Sequence, residues 1–256
     1  GDVEKVTVCI GGSRPAVPLP AVDPPRHLNW DKYLGQCPVV DYREAPEIAD
    51  TEGWGAGHPF SRTHRYFRWW YEYSGGKLTD WGAHHVDIAT LALDKQRDDI
   101  GHVTIEPLSA THPVQFVDGM PTLNDRFNAA TEFHVRVRFA DGIVMDVRDT
   151  ASDDLGFDNG IMFVGSGGRY LVNRGKLVGK PVEELNAKPL KNDPFELLYG
   201  QPKPASHMAN FFDCVKSRKQ PISDVASHNR MLNICHAINI ALRLDRKLVY
   251  DPATQQ

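Results

Sequence analysis

A short apolar strand is followed at once by a segment too rich in proline to form a helix. Residues Val3–Ile10 alternate in polarity, which predicts a β-strand. The prolines of residues 11–62 include Pro18, Pro20, Pro24, Pro25, Pro38, Pro46 and Pro59. Proline lacks the N–H that a helix interior needs, so this segment is expected to be irregular. The strand–helix–strand unit that begins a dinucleotide-binding domain is therefore not expected here.

Aromatic side chains accompany the prolines. Long loops in compact domains are usually either functional or packed by their own side chains. Four aromatic residues could provide that packing: Trp30, Tyr33, Tyr42 and Trp54. A second aromatic group, Tyr66–Tyr73, comes just before the glycine pair Gly75-Gly76.

The middle of the chain consists of hairpin patterns. Thr131–Phe139 alternates cleanly, with Arg136 and Arg138 on the polar face, and Asp141-Gly142 predicts a tight turn into a returning strand. A second pair of strands flanks the glycine-rich turn 165–168. Weaker strand patterns cover residues 100–106 and 248–250. Antiparallel pairing is therefore expected to dominate.

Two helical patterns close the chain. Ser206 can cap a helix over His207–Arg218, and Ser223 or Asp224 can cap one over Val225–Leu244. The inner face expected for the first helix contains Met208, Phe211, Phe212 and Val215. Hairpins followed by helices predict an α+β fold, with a large, mostly antiparallel sheet and helices on one face. The other face is expected to be solvated or to form a subunit interface.

Composition excludes several classes of protein. A net charge of −4 and a pI near 6.3 argue against a nucleic-acid partner. The sequence has no apolar run long enough for a transmembrane helix, so no membrane partner is expected. Its four cysteines are far apart, so a zinc site is not expected, and free thiols favour a reducing, cytoplasmic location. No P-loop and no nucleophile-elbow motif is present.

The glycine pair leads into a cluster of ionisable residues. Asp80, His84 and Asp87 are spaced i, i+4 and i+7, which places them on one face of a helix. An acid one turn from an imidazole is suited to moving a proton. Thr79 or Asp80 is expected to cap this helix, and the alternative is that Asp80 is only a cap and His84 an ordinary core or surface histidine. Adjacent histidines point about 100° apart on a helix, so His84 and His85 are not expected to share a metal ion.

Four sets of motifs resemble the C-terminal domain of the glucose–fructose oxidoreductase/inositol dehydrogenase (Gfo/Idh/MocA) family, which has a dihydrodipicolinate-reductase-like fold. The most specific is Gly75–Asp87, which is similar to the family signature GGxLxDxGxHxxD. The others are Pro25–Asp31 with Leu34-Gly35, Phe163–Gly168, and Asn210–Asp213 with Arg218–Ile222. They are spread over nearly the whole chain.

The resemblance implies that part of an oxidoreductase is missing from this chain. Full-length members begin with a Rossmann domain that binds NAD or NADP and supplies an active-site lysine. Neither feature is found in this sequence. Residues 1–256 are therefore expected to be the substrate-binding and oligomerisation domain of a truncated enzyme. Alone it should be inactive, with no cofactor-binding residues and no bound cofactor. Homo-oligomers would form through the open sheet face.

The resemblance also implies roles for individual residues. His84 would be the acid/base in hydride transfer to or from a carbinol carbon, and Asp80 would orient it or bind the substrate hydroxyl. Asp87, Arg68, Trp69 and Arg14 would bind a small sugar or polyol. Two alternatives remain open. One is a glycosidase or lyase of the same family that recycles its NAD, and the other is a non-enzymatic carbohydrate-binding or assembly module.

Overall fold

The computed structural model describes residues 2–15, 17–49 and 56–256. Trp54, one of the aromatics expected to pack the proline-rich segment, lies outside these residues. The strands are β1 (Val3–Cys9), β2 (Glu44–Ala49), β3 (Pro59–Ser61), β4 (Val103–Thr111), β5 (Phe116–Val117), β6 (Met120–Pro121), β7 (Glu132–Arg138), β8 (Val144–Arg148), β9 (Gly160–Gly165), β10 (Gly168–Asn173), β11 (Lys176–Gly179) and β12 (Leu248–Tyr250). The helices are α1 (Trp30–Leu34), α2 (Gly82–Ala92), α3 (Lys180–Ala187), α4 (Pro194–Tyr199), α5 (His207–Ser217) and α6 (Val225–Leu244).

One large sheet dominates the described part of the chain. Its eight strands are ordered β11-β10-β9-β1-β8-β7-β4-β12. β1 and β8 pair in parallel, and the other neighbours are antiparallel. This confirms the predicted α+β class and the mostly antiparallel sheet.

Helices α2 and α6 cover one face of this sheet. Their apolar side chains pack with those of β1, β4, β7, β8 and β9 in a single core. Val6, Val8 and Ile10 are almost completely buried in it. The predicted caps of the last two helices are present: Ser206 accepts from Ala209 N, and Asp224 accepts from Ala226 N.

Helix α5 corrects one prediction. The apolar residues expected on its inner face are largely exposed: Met208 (55%), Phe211 (49%), Phe212 (53%) and Val215 (47%). The helix is amphipathic as the spacing indicated, but no described element covers its apolar stripe. Periodicity identifies an apolar face without identifying what covers it.

The proline-rich segment packs into an aromatic core that does not include Trp30, Tyr33 or Tyr42; Tyr33 and Tyr42 contact Trp30 instead. Six large side chains and an alanine are buried there: Leu19, Ala45, Phe60, Tyr66, Trp69, Trp70 and Phe127. The fully buried Arg62 joins this core, with its guanidinium carbon 3.9 Å from the centre of the Trp70 ring. It also lies 3.6 Å from a Glu72 carboxylate oxygen, so the buried charge is compensated.

The other sheet face carries charged side chains, as the alternation predicted. Asp146 lies there and is only 2% exposed, because Lys5 and Arg136 close over it with contacts of 2.9 Å each. Burial alone would raise the pKa of Asp146, but His134, Arg136 and Lys5 together hold it well below its usual range. None of the helices in the described part of the chain has the length and apolarity needed to cross a bilayer.

Candidate active site

The glycine pair makes a turn that no larger residue could make. Gly76 has a φ of +62°, and a Cβ there would lie 2.7 Å from both Ser13 Oγ and the Ala129 Cβ. A Cβ on Gly75 would lie 2.3 Å from the Asn239 amide nitrogen, which donates to the Gly75 carbonyl. The turn is therefore fixed against the segment after β1, the segment before β7, and α6.

Helix α2 starts later than the sequence pattern suggests. Its N-cap is Trp81, which has no side-chain capping bond. The Thr79 hydroxyl instead accepts from Gly75 N at 2.7 Å. The prediction that Thr79 or Asp80 caps this helix is therefore wrong: Thr79 closes the preceding turn, and the Asp80 carboxylate binds Arg68.

Asp80 and Arg68 form a defined ion pair at the site. Arg68 Nη1 donates to Asp80 Oδ2 over 2.8 Å, and the Arg68 Nε donates to the Arg65 carbonyl at 2.9 Å. Both ends of the guanidinium are thus held in place. The two side chains are about one-fifth exposed, so a ligand can still reach the carboxylate.

His84 is exposed in the first turn of the helix. Its ring meets that of Trp81 edge-on, with 5.8 Å between ring centres. Partial burial and the positive charge of Arg174 lower the pKa of His84, against the opposing charges of Asp80 and Asp87. The imidazole is therefore biased towards the neutral form, which can accept a proton.

The neighbouring His85 has a different environment. It is fully buried, and its Nε2 lies 3.1 Å from the Asn159 side-chain oxygen. His84 and His85 thus lie on different sides of α2, as the helical angle predicted. Among residues 2–15, 17–49 and 56–256, no group of three or more His, Cys, Asp or Glu side chains is placed to hold a metal ion.

Asp87 faces neighbouring segments of the same chain. One of its carboxylate oxygens accepts from the Gln96 amide at 2.8 Å and lies 3.1 Å from His228 Nδ1. These contacts join α2 to α6. Asp87 nevertheless remains close enough to His84 to influence its pKa.

Lys77 belongs to the site but was not among the residues singled out from the sequence. Its ammonium lies 5.8 Å from the ring centres of both Trp69 and Trp81. Partial burial lowers the pKa of Lys77; the Asp80 charge opposes this shift, and the charges of Arg68 and Arg14 add to it. A lysine inside the Gly75–Asp87 motif, with tryptophans nearby on both sides in sequence, is the signal that could have identified it.

The other two predicted ligand-binding residues border this group. Trp69 is 5% exposed and belongs to the aromatic core, with the Arg68 guanidinium 4.7 Å above its ring. Arg14 follows β1 and lies 5.1 Å from the centre of the Phe60 ring. The structure therefore brings Arg14, Arg68 and Asp80 within electrostatic range of Lys77.

A surface cavity of about 550 Å³ opens over the ion pair. His58, His64, Arg65, Phe67, Arg68 and Asp80 line it. Its volume is within the range of small-molecule sites, roughly 300–1,000 Å³. A carboxylate, two guanidinium groups and ring faces form its wall, which is a suitable surface for a polyhydroxylated ligand.

The glycines after β1 do not form a phosphate-binding loop. A Cβ on Gly12 would lie 1.7 Å from the Thr131 carbonyl oxygen, so this glycine permits close backbone packing. The Gly11 and Ser13 N–H groups donate to the carbonyls of Asp149 and Ala130. These donors are already satisfied and cannot cradle a pyrophosphate. This segment therefore does not fit a dinucleotide.

No family model matches this chain, and neither does any curated protein. An NAD-binding protein from Listeria innocua is similar over 97% of this chain and 55% of its own, with 14% identity and a TM-score of 0.48. The WlbA dehydrogenase from Bordetella pertussis, solved with NADH and UDP-GlcNAcA, is similar over 97% of this chain and 54% of its own, with 15% identity and a TM-score of 0.46. The chain thus spans about half the length of each.

Proposed function

We propose that this chain is the substrate domain of an NAD(P)-dependent sugar or polyol dehydrogenase. The observation that carries the proposal is the Arg68–Asp80 pair in the wall of an open cavity. His84 follows four residues after Asp80, in the first turn of α2, and interacts with the charge of Asp80. The resemblance of Gly75–Asp87 to the Gfo/Idh/MocA signature supports it. The nicotinamide would be carried by a dinucleotide-binding domain outside this chain, and the isolated domain would be inactive.

Oxidation of a CH–OH group needs a base as well as a hydride acceptor. The nicotinamide accepts the hydride in enzymes of this class, and the hydroxyl proton must go to a protein group. His84 is our candidate for that base, because its environment favours the neutral imidazole. In the reverse direction the imidazolium would return the proton to the nascent alkoxide.

Asp80 would hold a hydroxyl group next to the reacting one, because the single proton of the reacting hydroxyl goes to His84. Arg68 fixes the carboxylate through Oδ2, which leaves Oδ1 available to accept from a hydroxyl group. Lys77 would donate to the substrate oxygen that gains negative charge, because its ammonium interacts with the charge of Asp80 and its pKa is lowered. Lys77 would act together with a second lysine, which the family resemblance assigns to the dinucleotide-binding domain outside this chain.

The remaining candidate residues would support this arrangement. Trp69 would form the floor beneath Arg68 and Lys77, since both cations lie over its ring. Arg14 would bind a second oxygen of the ligand. Asp87 would act mainly through His84 and the α2–α6 contact, or bind a further hydroxyl. The charged sheet face would pair two copies of the protein.

The test uses the protein at its full natural length. A panel of sugars and polyols is offered with NAD⁺ or NADP⁺, and reduced nicotinamide is measured by its absorbance. We expect substrate-dependent reduction by the wild type and a loss of about 100-fold or more in kcat for His84→Gln. Asp94→Asn, an exposed change just after α2, is the matched control. A wild-type rate in His84→Gln would contradict the assignment, and bond cleavage without net reduction would favour the NAD-recycling glycosidase or lyase.

A further inference from the structure

A second cavity adjoins the one over Asp80. Its volume is about 660 Å³, and it shares His58, His64 and Phe67 with the first cavity. The two histidine rings stack at 5.6 Å between centres and form part of this common wall. A ligand that extends out of the first cavity past this wall would enter the second.

Ring faces line the second cavity and are held rigidly. Tyr42 is 3% exposed and meets Trp30 edge-on at 5.3 Å, while Tyr33 stacks on Trp30 at 5.4 Å. The Tyr33 hydroxyl also donates to the Arg62 carbonyl. The wall is therefore ordered by the packing of the proline-rich segment before any ligand arrives, which lowers the entropic cost of binding. Flat aromatic faces favour ligands with an apolar C–H surface.

Glu44 determines the polarity that such a ligand must have. Its Oε2 accepts from the Tyr42 hydroxyl at 2.5 Å, and the described residues provide no other side-chain donor to this carboxylate. A carboxylate accepts hydrogen bonds and repels anions. The Glu44 carboxylate therefore favours a ligand that places hydroxyl donors beside it over one that places a phosphate or another carboxylate there. By contrast, the adjoining cavity contains Arg65 and Arg68.

We infer that the second cavity binds a pyranose ring joined by a glycosidic bond to the ring that reacts beside Asp80. A pyranose combines an apolar C–H face for Tyr33 and Phe67 with an edge of hydroxyl donors for Glu44. The substrate is then a glycoside of at least two rings rather than a free monosaccharide. The identity of the reacting ring rests on the proposed function, whereas the second subsite rests on the cavity itself.

The test measures binding to this 256-residue chain, so it does not depend on catalysis. Calorimetric titrations compare glucose and galactose with cellobiose, maltose, lactose and phenyl β-glucoside. We expect at least one disaccharide to bind about tenfold more tightly than its monosaccharide. Glu44→Gln should abolish most of that difference. Glu47→Gln, an exposed change on the same strand, should preserve it.

Three outcomes overturn the inference. The first is equal affinity for one-ring and two-ring sugars. The second is no saturable binding of any disaccharide. The third is tighter binding of phenyl β-glucoside alone, which would indicate a site for a flat aglycone. If disaccharide discrimination persists but the full-length protein reduces no nicotinamide, the subsite stands and the dehydrogenase proposal fails. If reduction occurs with equal KM values for one-ring and two-ring sugars, the dehydrogenase stands and the subsite fails.

Discussion

Arg68 Nη1 donates to Asp80 Oδ2 over 2.8 Å, and the two side chains are 21% and 22% exposed. A pair exposed to this extent contributes little to stability, because water screens the interaction. The pair therefore shapes the wall of the cavity more than it stabilises the fold. The fixed carboxylate faces the cavity with one oxygen already bound.

The first prediction separates the two members of this pair. Asp80→Asn keeps the shape of the side chain but removes its charge, so kcat should fall about 100-fold. Arg68→Met leaves the carboxylate present but unfixed, so KM should rise with a smaller loss in kcat. Steady-state kinetics of the full-length protein checks both. The control is that both variants keep the thermal unfolding temperature of the wild type. If the two variants change kcat and KM by the same factors, the separate roles of Asp80 and Arg68 are contradicted.

The second prediction concerns the pH dependence set by His84. Its pKa is lowered, so the neutral base persists below the ordinary histidine range, and kcat/KM for oxidation should fall only below about pH 6.5. Arg174→Gln removes a nearby positive charge, so the pKa of His84 should rise and this acid limb should move to higher pH. The pH profiles of wild type and variant are compared, with Lys176→Gln as the control. An acid limb that stays in place in Arg174→Gln would contradict the assignment.

Local sequence signals predicted much of the fold, because hairpins and capped helices depend on near neighbours. The β7–β8 turn at Asp141-Gly142 and the caps at Ser206 and Asp224 required no knowledge of tertiary structure. The extent of β4 was less apparent: the expected weak strand at 100–106 extends to Thr111, through Pro107, where the pairing register shifts. Long-range pairing, rather than local preference, determines that strand.

The candidate site was only partly predictable for the same reason. Asp80 and His84 stand out because their spacing is regular and lies within a motif. Lys77 does not stand out, because its environment depends on two indole rings that the fold brings together. The cavity beside Glu44 combines residues from four separate segments, and no sequence pattern connects them.

The third prediction concerns Lys77. An ammonium that is half-buried between two tryptophans loses hydration without gaining a hydrogen-bonded carboxylate among the described residues. Lys77→Met should therefore leave thermal stability unchanged or slightly raised, while KM rises about tenfold or more and kcat falls. Lys77→Arg, which keeps the charge, should recover part of the binding. A Lys77→Met variant with wild-type kinetics would remove this residue from the site.

The fourth prediction tests why the turn needs glycine. Gly76→Ala combines an unfavourable φ of +62° with a Cβ only 2.7 Å from Ser13 Oγ and the Ala129 Cβ, so it should cost roughly 2–4 kcal/mol of unfolding free energy. Gly200→Ala is the matched control, because Gly200 has a left-handed backbone with a φ of +64° and a Cβ added there would meet nothing within 4 Å. It should cost only about 1 kcal/mol. Urea unfolding measures both, and equal costs would show that backbone strain alone is responsible.

The fifth prediction links His112 to acid stability. The ring is packed against Phe116 at 4.6 Å and lies 3.4 Å from the Tyr71 hydroxyl. Burial, with help from the positive charge of Arg243, lowers the pKa of His112 to about 4. Below about pH 6.5, His112 binds a proton in the unfolded chain but not in the folded chain. The free energy of unfolding therefore falls as the pH drops towards 4 and then levels off.

The size of this effect follows from the linkage relation, at about 1.4 kcal/mol per pH unit and roughly 3 kcal/mol in total. His112→Phe removes the titrating group and should flatten this part of the stability curve. Urea unfolding between about pH 7 and pH 4 measures the difference, with His102→Phe, at an exposed position, as the reference. If wild type and His112→Phe lose stability in parallel, another group is responsible for the acid sensitivity.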